Sequence, residues 1–226
     1  MEILPGIHKV DGVNCNCYLV EGQKCGWTLI DTGMPGNAKK ILSYMSGTLK
    51  CQPSDVKTII ITHGHIDHIG SLAAMKEATG AKVAAHEADA DFIAGKKAMS
   101  MGKNISWKFR FFRLLSPFMK AAPVQPDTLL KDNDDIAGMK VIHAPGHTPG
   151  SICLYDKRRK VLFVGDLLRF LGGKVTGPPI TLDEGQVRES MGRVSKLKFN
   201  VMLSGHGEPL MPCADERVRE FIRSET

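Results

Sequence analysis

The feature that most constrains this chain is an apolar, β-branched run that ends in a dense group of imidazoles and a carboxylate. Residues 56–62 read V-K-T-I-I-I-T, the pattern of a strand buried on both faces, and H-G-H-I-D-H follows directly at residues 63–68. Imidazole and carboxylate groups are the ligands of zinc, iron and manganese. In an extended segment His63, His65 and Asp67 project to one side, whereas His68 begins a helix and points elsewhere. One loop can therefore supply two adjacent metal ions.

Three later apolar segments end in the same kinds of side chain. They lead to His147, Asp166 and His206, and each has the composition of a strand. Strand ends along one edge of a sheet are where sites are commonly built. We therefore expect these three side chains to join the group that begins at His63. The segments are residues 140–144, 161–165 and 200–205.

Strands are followed by helices in both halves of the chain, which predicts an α/β fold. A capping box at Thr181 and Glu184 predicts a helix that opens there and runs to about Leu197. Apolar residues at helical spacing predict the others. These helices are expected at 37–45, 69–79, 87–93 and 214–223.

Composition sets the broad class of the protein. The 226 residues are 42% hydrophobic and 24% charged, which predicts a globular chain with one domain over residues 1–226. No apolar run approaches the ~18 residues needed to cross a bilayer, and the N-terminus lacks a signal-peptide pattern. The six cysteines include no C-x-x-C pair, so we expect free thiols and a cytoplasmic location. Cys15 and Cys17 are interpreted as core residues.

The net charge of +6 is concentrated in one segment. No acidic residue lies between Asp91 and Asp127, and cations alternate there with aromatic residues such as Trp107 and Phe112. We interpret residues 95–125 as a helical insertion. It could complete the core, form a lid over a pocket for an acyl or other apolar group, or contact a second copy, a membrane surface or nucleic acid.

Taken together, the motifs resemble those of the metallo-β-lactamase superfamily, and the resemblance covers nearly the whole chain. It implies a four-layer αββα sandwich, with the site at one edge of the two packed sheets. The matching segments occur in the family's order: L-I-D-T-G at 29–33, T-H-G-H-I-D-H at 62–68, P-G-H-T-P-G at 145–150, V-G-D at 164–166 and S-G-H-G at 204–207.

The resemblance also implies a centre of two divalent metal ions, taken as zinc, with iron or manganese as alternatives. Asp166 and a hydroxide would bridge the two ions, and Asp67 is assigned a catalytic role besides ligation. Two cations lower the pKa of a shared water and give a nucleophile at neutral pH. The implied ligands are His63, His65 and His147 for one ion, and Asp67, His68 and His206 for the other.

Three charged residues outside the ligand set are candidates for supporting roles. The resemblance implies that Asp31 lies beneath the metals and accepts a hydrogen bond from a ligand histidine; a turn residue at a strand end is the alternative. Arg169 and Lys174 could hold a substrate carboxylate or phosphate, or be solvated loop charges. The remaining histidines belong to no motif and are interpreted as core or surface residues: His8, His86 and His143.

Individual positions narrow the activity within the superfamily. Many true β-lactamases have Cys or Ser where this chain has Asp166, which argues against antibiotic hydrolysis. His65 stands where flavin-linked di-iron oxidoreductases have Glu, which argues against oxygen or nitric oxide reduction. The pattern is similar to glyoxalase II, lactonases and RNase Z, although Ser151 replaces the second histidine usual in glyoxalase II.

The sequence therefore predicts a dinuclear metal-dependent hydrolase that cleaves a small ester, lactone or thioester. Two alternatives stay open: a phosphodiesterase or nuclease of the same fold, favoured by the basic insertion, and a mononuclear iron sulfur dioxygenase. The expected partner is a small-molecule substrate. Nucleic acid is disfavoured, no transmembrane segment is expected, and a homodimer is left open.

Overall fold

The computed structural model of the protein describes residues 1–22, 26–98 and 120–225. In it, two β-sheets pack face to face. The first sheet contains β1 (Glu2–Leu4), β2 (Ile7–Lys9), β3 (Tyr18–Glu21), β4 (Trp27–Ile30), β5 (Val56–Ile61), β6 (Lys82–His86) and β7 (Thr128–Leu130). Its strands follow one another in chain order across the sheet.

The second sheet is built from the later part of the chain. It contains β8 (Asp135–Ile136), β9 (Met139–His143), β10 (Ile152–Asp156), β11 (Val161–Gly165) and β14 (Val201–Ser204). The order across this sheet is β14-β11-β10-β9-β8. A separate antiparallel hairpin pairs β12 (Arg169–Leu171) with β13 (Lys174–Thr176).

Helices cover the outer face of each sheet. A π-helical turn (Met45–Leu49) continues the first helix, and a 3₁₀ turn (Pro53–Asp55) precedes β5. The α-helices of the described residues are α1 (Ala38–Tyr44), α2 (Ile66–Ile69), α3 (Leu72–Thr79), α4 (Glu87–Ile93), α5 (Glu184–Val194) and α6 (Ala214–Ser224). Among the described residues, no helix combines the length and apolar character needed to span a membrane.

Strand β5 shows how the sequence builds these layers. Side chains alternate across a strand, so Ile59 and Ile61 pack outward with residues of α1 and α3, whereas Ile60 packs inward against the second sheet. All three are fully buried. The expectation of a strand buried on both faces is therefore confirmed.

The layer between the sheets joins both halves of the chain. Phe163 of β11 lies edge-on to Tyr18 of β3, with ring centroids 5.4 Å apart, and the Tyr18 hydroxyl donates to the Ser204 carbonyl at 2.7 Å. A third apolar layer lies on the far face of the second sheet, where α5 and α6 pack on residues such as Leu162. The order helix–sheet–sheet–helix is the predicted αββα sandwich.

The strands that lead to the polar motifs end on one side of the molecule. β4, β5 and β6 run parallel, and so do β11 and β14. The two sheets are joined there by the Ile152 N–H donating to the Thr62 carbonyl at 3.0 Å and the Asn16 N–H donating to the Gly205 carbonyl at 2.7 Å. The chain segments that follow these strands therefore meet.

Two predicted helix boundaries were wrong. The helix predicted from Thr181 begins at Glu184, and its N-cap is Asp183, whose side chain accepts from the Gln186 N–H at 2.9 Å. The Asp183 N–H is donated to the Gly146 carbonyl, which keeps the chain extended up to this point. The helix predicted over 69–79 is instead α2 and α3, which are separated by residues 70–71.

Most of the predicted insertion, residues 99–119, lies outside the described residues. The interpretations of this segment as a core hairpin, a lid or an interface therefore stay predictions. Its two ends lie side by side at the end of α4. The Lys96 ammonium donates to the Gln125 side chain at 2.8 Å, and the Val124 N–H donates to the Ile93 carbonyl at 3.0 Å. The segment thus leaves and re-enters the fold at one place.

Candidate metal centre

Three imidazoles converge at the edge shared by the two sheets. His63 and His65 follow β5, and His147 lies in the loop between β9 and β10. Nε2 of His63 lies 3.1 Å from Nδ1 of His65 and 3.1 Å from Nε2 of His147. Tetrahedral zinc with ordinary Zn–N bonds places two ligand nitrogens ~3.3 Å apart. The three nitrogens therefore have the spacing of ligands around one ion, and we call these residues the three-histidine group.

Hydrogen bonds at Nδ1 of His147 and His63 determine that the lone pair of each neutral ring lies on Nε2. Nδ1 of His147 donates to the Ile180 carbonyl at 2.7 Å, which leaves Nε2 of a neutral ring bare. The Thr62 hydroxyl donates to Asp31 at 2.7 Å, so it can only accept from Nδ1 of His63, 3.2 Å away. Two lone pairs then face each other across 3.1 Å. A cation between them makes this arrangement favourable.

The protonation states of this group also suit a metal. Burial and the neighbouring rings lower the pKa of His63 well below its ordinary value, and they lower the pKa of His65 to about 3. Burial also lowers the pKa of His147. Metal ions bind the neutral imidazole, so the three rings are in the binding form at neutral pH.

A second group contains Asp67 and His68 of α2 and His206, which follows β14. Nε2 of His206 lies 3.0 Å from Oδ2 of Asp67, and Nε2 of His68 lies 3.9 Å from the same oxygen. Burial opposes ionisation of Asp67, but the His206 hydrogen bond and the charge of His68 outweigh it and lower the pKa of the carboxyl. We call these residues the mixed group.

Asp166 lies between the two groups. Its Oδ2 is 3.8 Å from Nε2 of His147 and 3.5 Å from Nε2 of His206, and its Oδ1 is 3.4 Å from Nε2 of His68. Burial opposes its ionisation, but the charge of His68 and the other rings holds its pKa well below the usual range. Gly205 permits this packing, since a Cβ there would collide with Asp166 and His68.

Two buried atoms of the candidate ligands have no hydrogen-bond partner among the described residues: Nε2 of His68 and Oδ1 of Asp166. An unpaired buried polar atom costs free energy, so native structures rarely leave one without a function. Both atoms are ordinary ligands of divalent cations. The two unpaired atoms therefore fit an ion at the mixed group, and the facing nitrogens of His63 and His147 fit one at the three-histidine group.

Asp31 binds the ring nitrogen of His68 that faces away from the other residues of the mixed group. Its fully buried carboxylate accepts from Nδ1 of His68 at 2.8 Å and from the Thr62 N–H and hydroxyl at 2.8 and 2.7 Å. Burial opposes protonation of His68, but Asp31 and Asp166 outweigh it and raise the pKa of the ring well above its ordinary value. The hydrogen bond expected between Asp31 and a histidine of the motif is present.

The two candidate substrate-binding cations differ in position. Arg169 begins β12 and its guanidinium donates to Oδ2 of Asp166 at 2.7 Å, while its buried Nε has no partner in the described part of the chain. Lys174 begins β13 and is exposed; across the described ranges no hydrogen bond or ion pair joins it to the centre. The structure thus brings Arg169, but not Lys174, into contact with the predicted ligands.

Sequence reasoning missed two buried residues at this centre. The thiol of Cys15, expected to be a core residue, is buried but lies 3.4 Å from Nδ1 of His68. Asp89 of α4 accepts hydrogen bonds from both loops that carry the three-histidine group. Neither belongs to a motif, so no local signal marked them. His86 and His143, also without a motif, stack on each other with centroids 3.9 Å apart.

An αββα sandwich with imidazoles and carboxylates converging at one sheet edge defines a class of metal-dependent hydrolases. The sequence profile of the metallo-beta-lactamase superfamily matches residues 10–206. The chain belongs to this superfamily and is an enzyme, a metal-dependent hydrolase.

Related proteins show what activities accompany similar sequences. The chain is 32% identical to the acyl-coenzyme A thioesterase MBLAC2 of Bos taurus over 181 residues, which cover 70% of this chain and 59% of the relative. It is 25% identical to the hydroxyacylglutathione hydrolase GloC of Haemophilus influenzae over 239 aligned positions, covering 100% and 99% of the two chains. The solved structure of TTHA1623 in a di-iron-bound form matches with a TM-score of 0.72 and 26% identity, over 95% of this chain and 98% of that one.

Proposed function

We propose that this hydrolase works with two divalent cations and cleaves a small ester, lactone or thioester. The position of Asp166 carries the proposal, because one carboxylate lies within 3.8 Å of histidines from both groups. Two cations held there would lower the pKa of a bound water and draw electrons from the attacked carbonyl oxygen. Zinc suits the nitrogen and oxygen donors, and iron is the alternative.

The chain's own residues divide the work in this proposal. Asp166, which is almost fully buried, would be a ligand of both ions. Asp67 is more exposed to solvent than Asp166, with 31% of its side chain exposed, and its Oδ2 contacts Nε2 of His206 at 3.0 Å. It would hold one ion and orient the attacking water. The other proposed ligands are His63, His65 and His147 for one ion, and His68 with His206 for the second.

Anionic thioesters are the substrates that best fit these features. MBLAC2 and GloC are named for thioester hydrolysis, and coenzyme A and glutathione both carry negative charge. Arg169 lies at the centre, and Lys174 lies on the paired strand of the same hairpin. In the proposal, these two cations attract the anionic carrier to the metal edge.

The test is metal analysis of protein purified without added metal, followed by assays of thioesters, lactones, simple esters and bis-p-nitrophenyl phosphate. We expect two ions per chain and acyl turnover that is lost on chelation and restored by metal. Preferred turnover of the phosphodiester would favour the nuclease alternative. A single iron per chain with oxidation of a persulfide substrate would favour the dioxygenase and refute the dinuclear mechanism.

We also propose that residues 1–226 form one domain. The layer between the sheets supports this, because Ile30 and Ile60 from the first half pack with Phe163 and Leu203 from the second. Neither half can keep this layer buried alone. A single unfolding transition seen by both circular dichroism and tryptophan fluorescence is the expected result.

A further inference from the structure

Asp89 is a fully buried carboxylate that the proposed chemistry does not use. It lies in the first turn of α4 and accepts three hydrogen bonds. The Gly64 N–H and the Thr148 hydroxyl both donate to Oδ2 at 2.8 Å, and the Gly150 N–H donates to Oδ1 at 2.7 Å. Asp89 is therefore surrounded by donors, which suits an ionised carboxylate.

The three donors belong to the two loops that carry the three-histidine group. Gly64 lies between His63 and His65, on the loop after β5 of the first sheet. Thr148 follows His147, on the loop between β9 and β10 of the second sheet. One side chain thus fixes two loops that come from different sheets.

The local sequence is adapted to this contact. A Cβ at position 150 would collide with the Asp89 carboxylate, so Gly150 allows the approach. The Thr148 hydroxyl also lies 2.8 Å from the Ser151 hydroxyl, which ties the same turn together. An asparagine at position 89 would keep the shape but direct an NH₂ group at one of the donors.

We propose that Asp89 is the positioning residue of the three-histidine group. By holding Gly64 and Thr148 on one carboxylate, it sets how far the His63 and His65 rings lie from the His147 ring. It thereby sets the affinity of this group for its ion. The inference rests on the proposed metal centre, and Asp89 acts through backbone and hydroxyl groups without touching the ion.

Selectivity distinguishes this role from a general contribution to folding. The mixed group is positioned by different contacts, chiefly the hydrogen bond from His68 to Asp31. A substitution at Asp89 should therefore weaken the three-histidine group and leave the mixed group as it is. Outer partners of metal ligands typically change metal affinity about 10- to 100-fold when they are removed.

The experiment compares wild type, Asp89→Asn and a control, Asp91→Asn, in metal titrations of the full-length apoprotein. Asp91 lies on the same helix, its side chain is 43% exposed, and it forms an ion pair only with Lys97 in the described part of the chain. Cobalt is the probe, since its absorption spectrum and the shifted histidine N–H resonances show which group is filled. We expect Asp89→Asn to lower affinity at the three-histidine group about 10- to 100-fold, with Asp91→Asn unchanged.

A second variant covers the case in which Asp89→Asn does not fold. Thr148→Val removes one of the three hydrogen bonds and keeps the carboxylate, so it should weaken the same group by a smaller factor. Wild-type affinity in both variants, or equal weakening of both groups, would overturn the role of Asp89 while the metal centre stands. A wild-type protein that binds no cobalt would instead overturn the proposed centre, and this inference with it.

Discussion

Replacing Asp31 by Asn tests how the mixed group is prepared for its ion. The backbone at Asp31 is left-handed, with φ of 59°, a conformation that Asn tolerates better than most residues. The substitution therefore changes the charge and one hydrogen-bonding atom with little backbone strain. It leaves the proposed ligands themselves intact.

The magnitude follows from the three donors that meet this carboxylate. The remaining oxygen of Asn can accept from the Thr62 N–H, and the Thr62 hydroxyl can rotate to accept from the new NH₂ group. Nδ1–H of His68, 2.8 Å away, is then left facing a donor. Losing one buried hydrogen bond lowers the free energy of unfolding by about 1–3 kcal/mol.

To bind an ion, the His68 ring must give up its Nε2 proton, and in wild type the Asp31 carboxylate keeps the other proton on Nδ1. In Asp31→Asn the ring relieves the contact by giving up the Nδ1 proton instead, so the proton stays on Nε2. Nε2 is the unpaired atom that faces Asp166, and a proton there blocks metal binding. The mixed group should therefore lose about 10- to 100-fold in metal affinity. The three-histidine group should change much less, because the rotated Thr62 hydroxyl has a second lone pair and can still accept from Nδ1 of His63. The large effect is on metal binding, and the effect on folding is modest.

Urea unfolding of the apoprotein and cobalt titration measure the two effects separately. Asp91→Asn is the matched control, because it makes the same chemical change at a partly exposed carboxylate that pairs with Lys97. If Asp31→Asn binds both ions as tightly as wild type, the reasoning about the His68 proton is wrong. An equal loss at both groups would also refute it.

Three further predictions test other parts of the structure. Asp166→Asn removes a charge shared by both groups, so elemental analysis should show reduced occupancy and the acyl assay should show loss of most activity; full metal content with wild-type turnover would contradict the bridging role. Phe163→Ala empties the fully buried space beside Tyr18 and should lower the unfolding free energy by about 3–5 kcal/mol in urea, whereas a change below 1 kcal/mol would contradict the packing. Burial and the stacked His143 ring lower the pKa of His86 from 6.5 to about 4. Between these two pH values the unfolded chain binds a proton at His86 and the native state does not, so the free energy of unfolding decreases as the pH falls. His86→Asn keeps a side-chain acceptor at the helix N-cap and should reduce this slope in apoprotein denaturation curves; an unchanged slope would refute the assignment.

The strand-end pattern predicted which side chains would meet. Apolar runs have a strong signature, and parallel strands bring their carboxyl ends to one edge, so His63, His147, Asp166 and His206 could be placed together from the sequence. The structure brings all seven predicted ligands together. Their roles as ligands remain predictions.

Very short strands and contacts between residues distant in sequence could not be predicted from the sequence. Strands β1 and β12 have three residues each, too few to show a period. The start of α5 depends on hydrogen bonds from Leu182 and Asp183 to Gly146, which is distant in sequence. A capping box at Thr181 was the better local match, but this tertiary contact decided the boundary.

The residues that place the ligands differ in kind from the ligands themselves. Metal chemistry restricts ligands to a few residue types, so their motif is visible in the sequence. Asp89 lies 25 and 61 positions from the backbone groups it binds, and only the docking of α4 against both loops brings them together. Asp31 was found because it lies in a motif at a strand end, whereas Asp89 has no such marker. The identity of the ligands is thus encoded locally, while the spacing between His63 and His147 depends on how the helix and the two sheets pack.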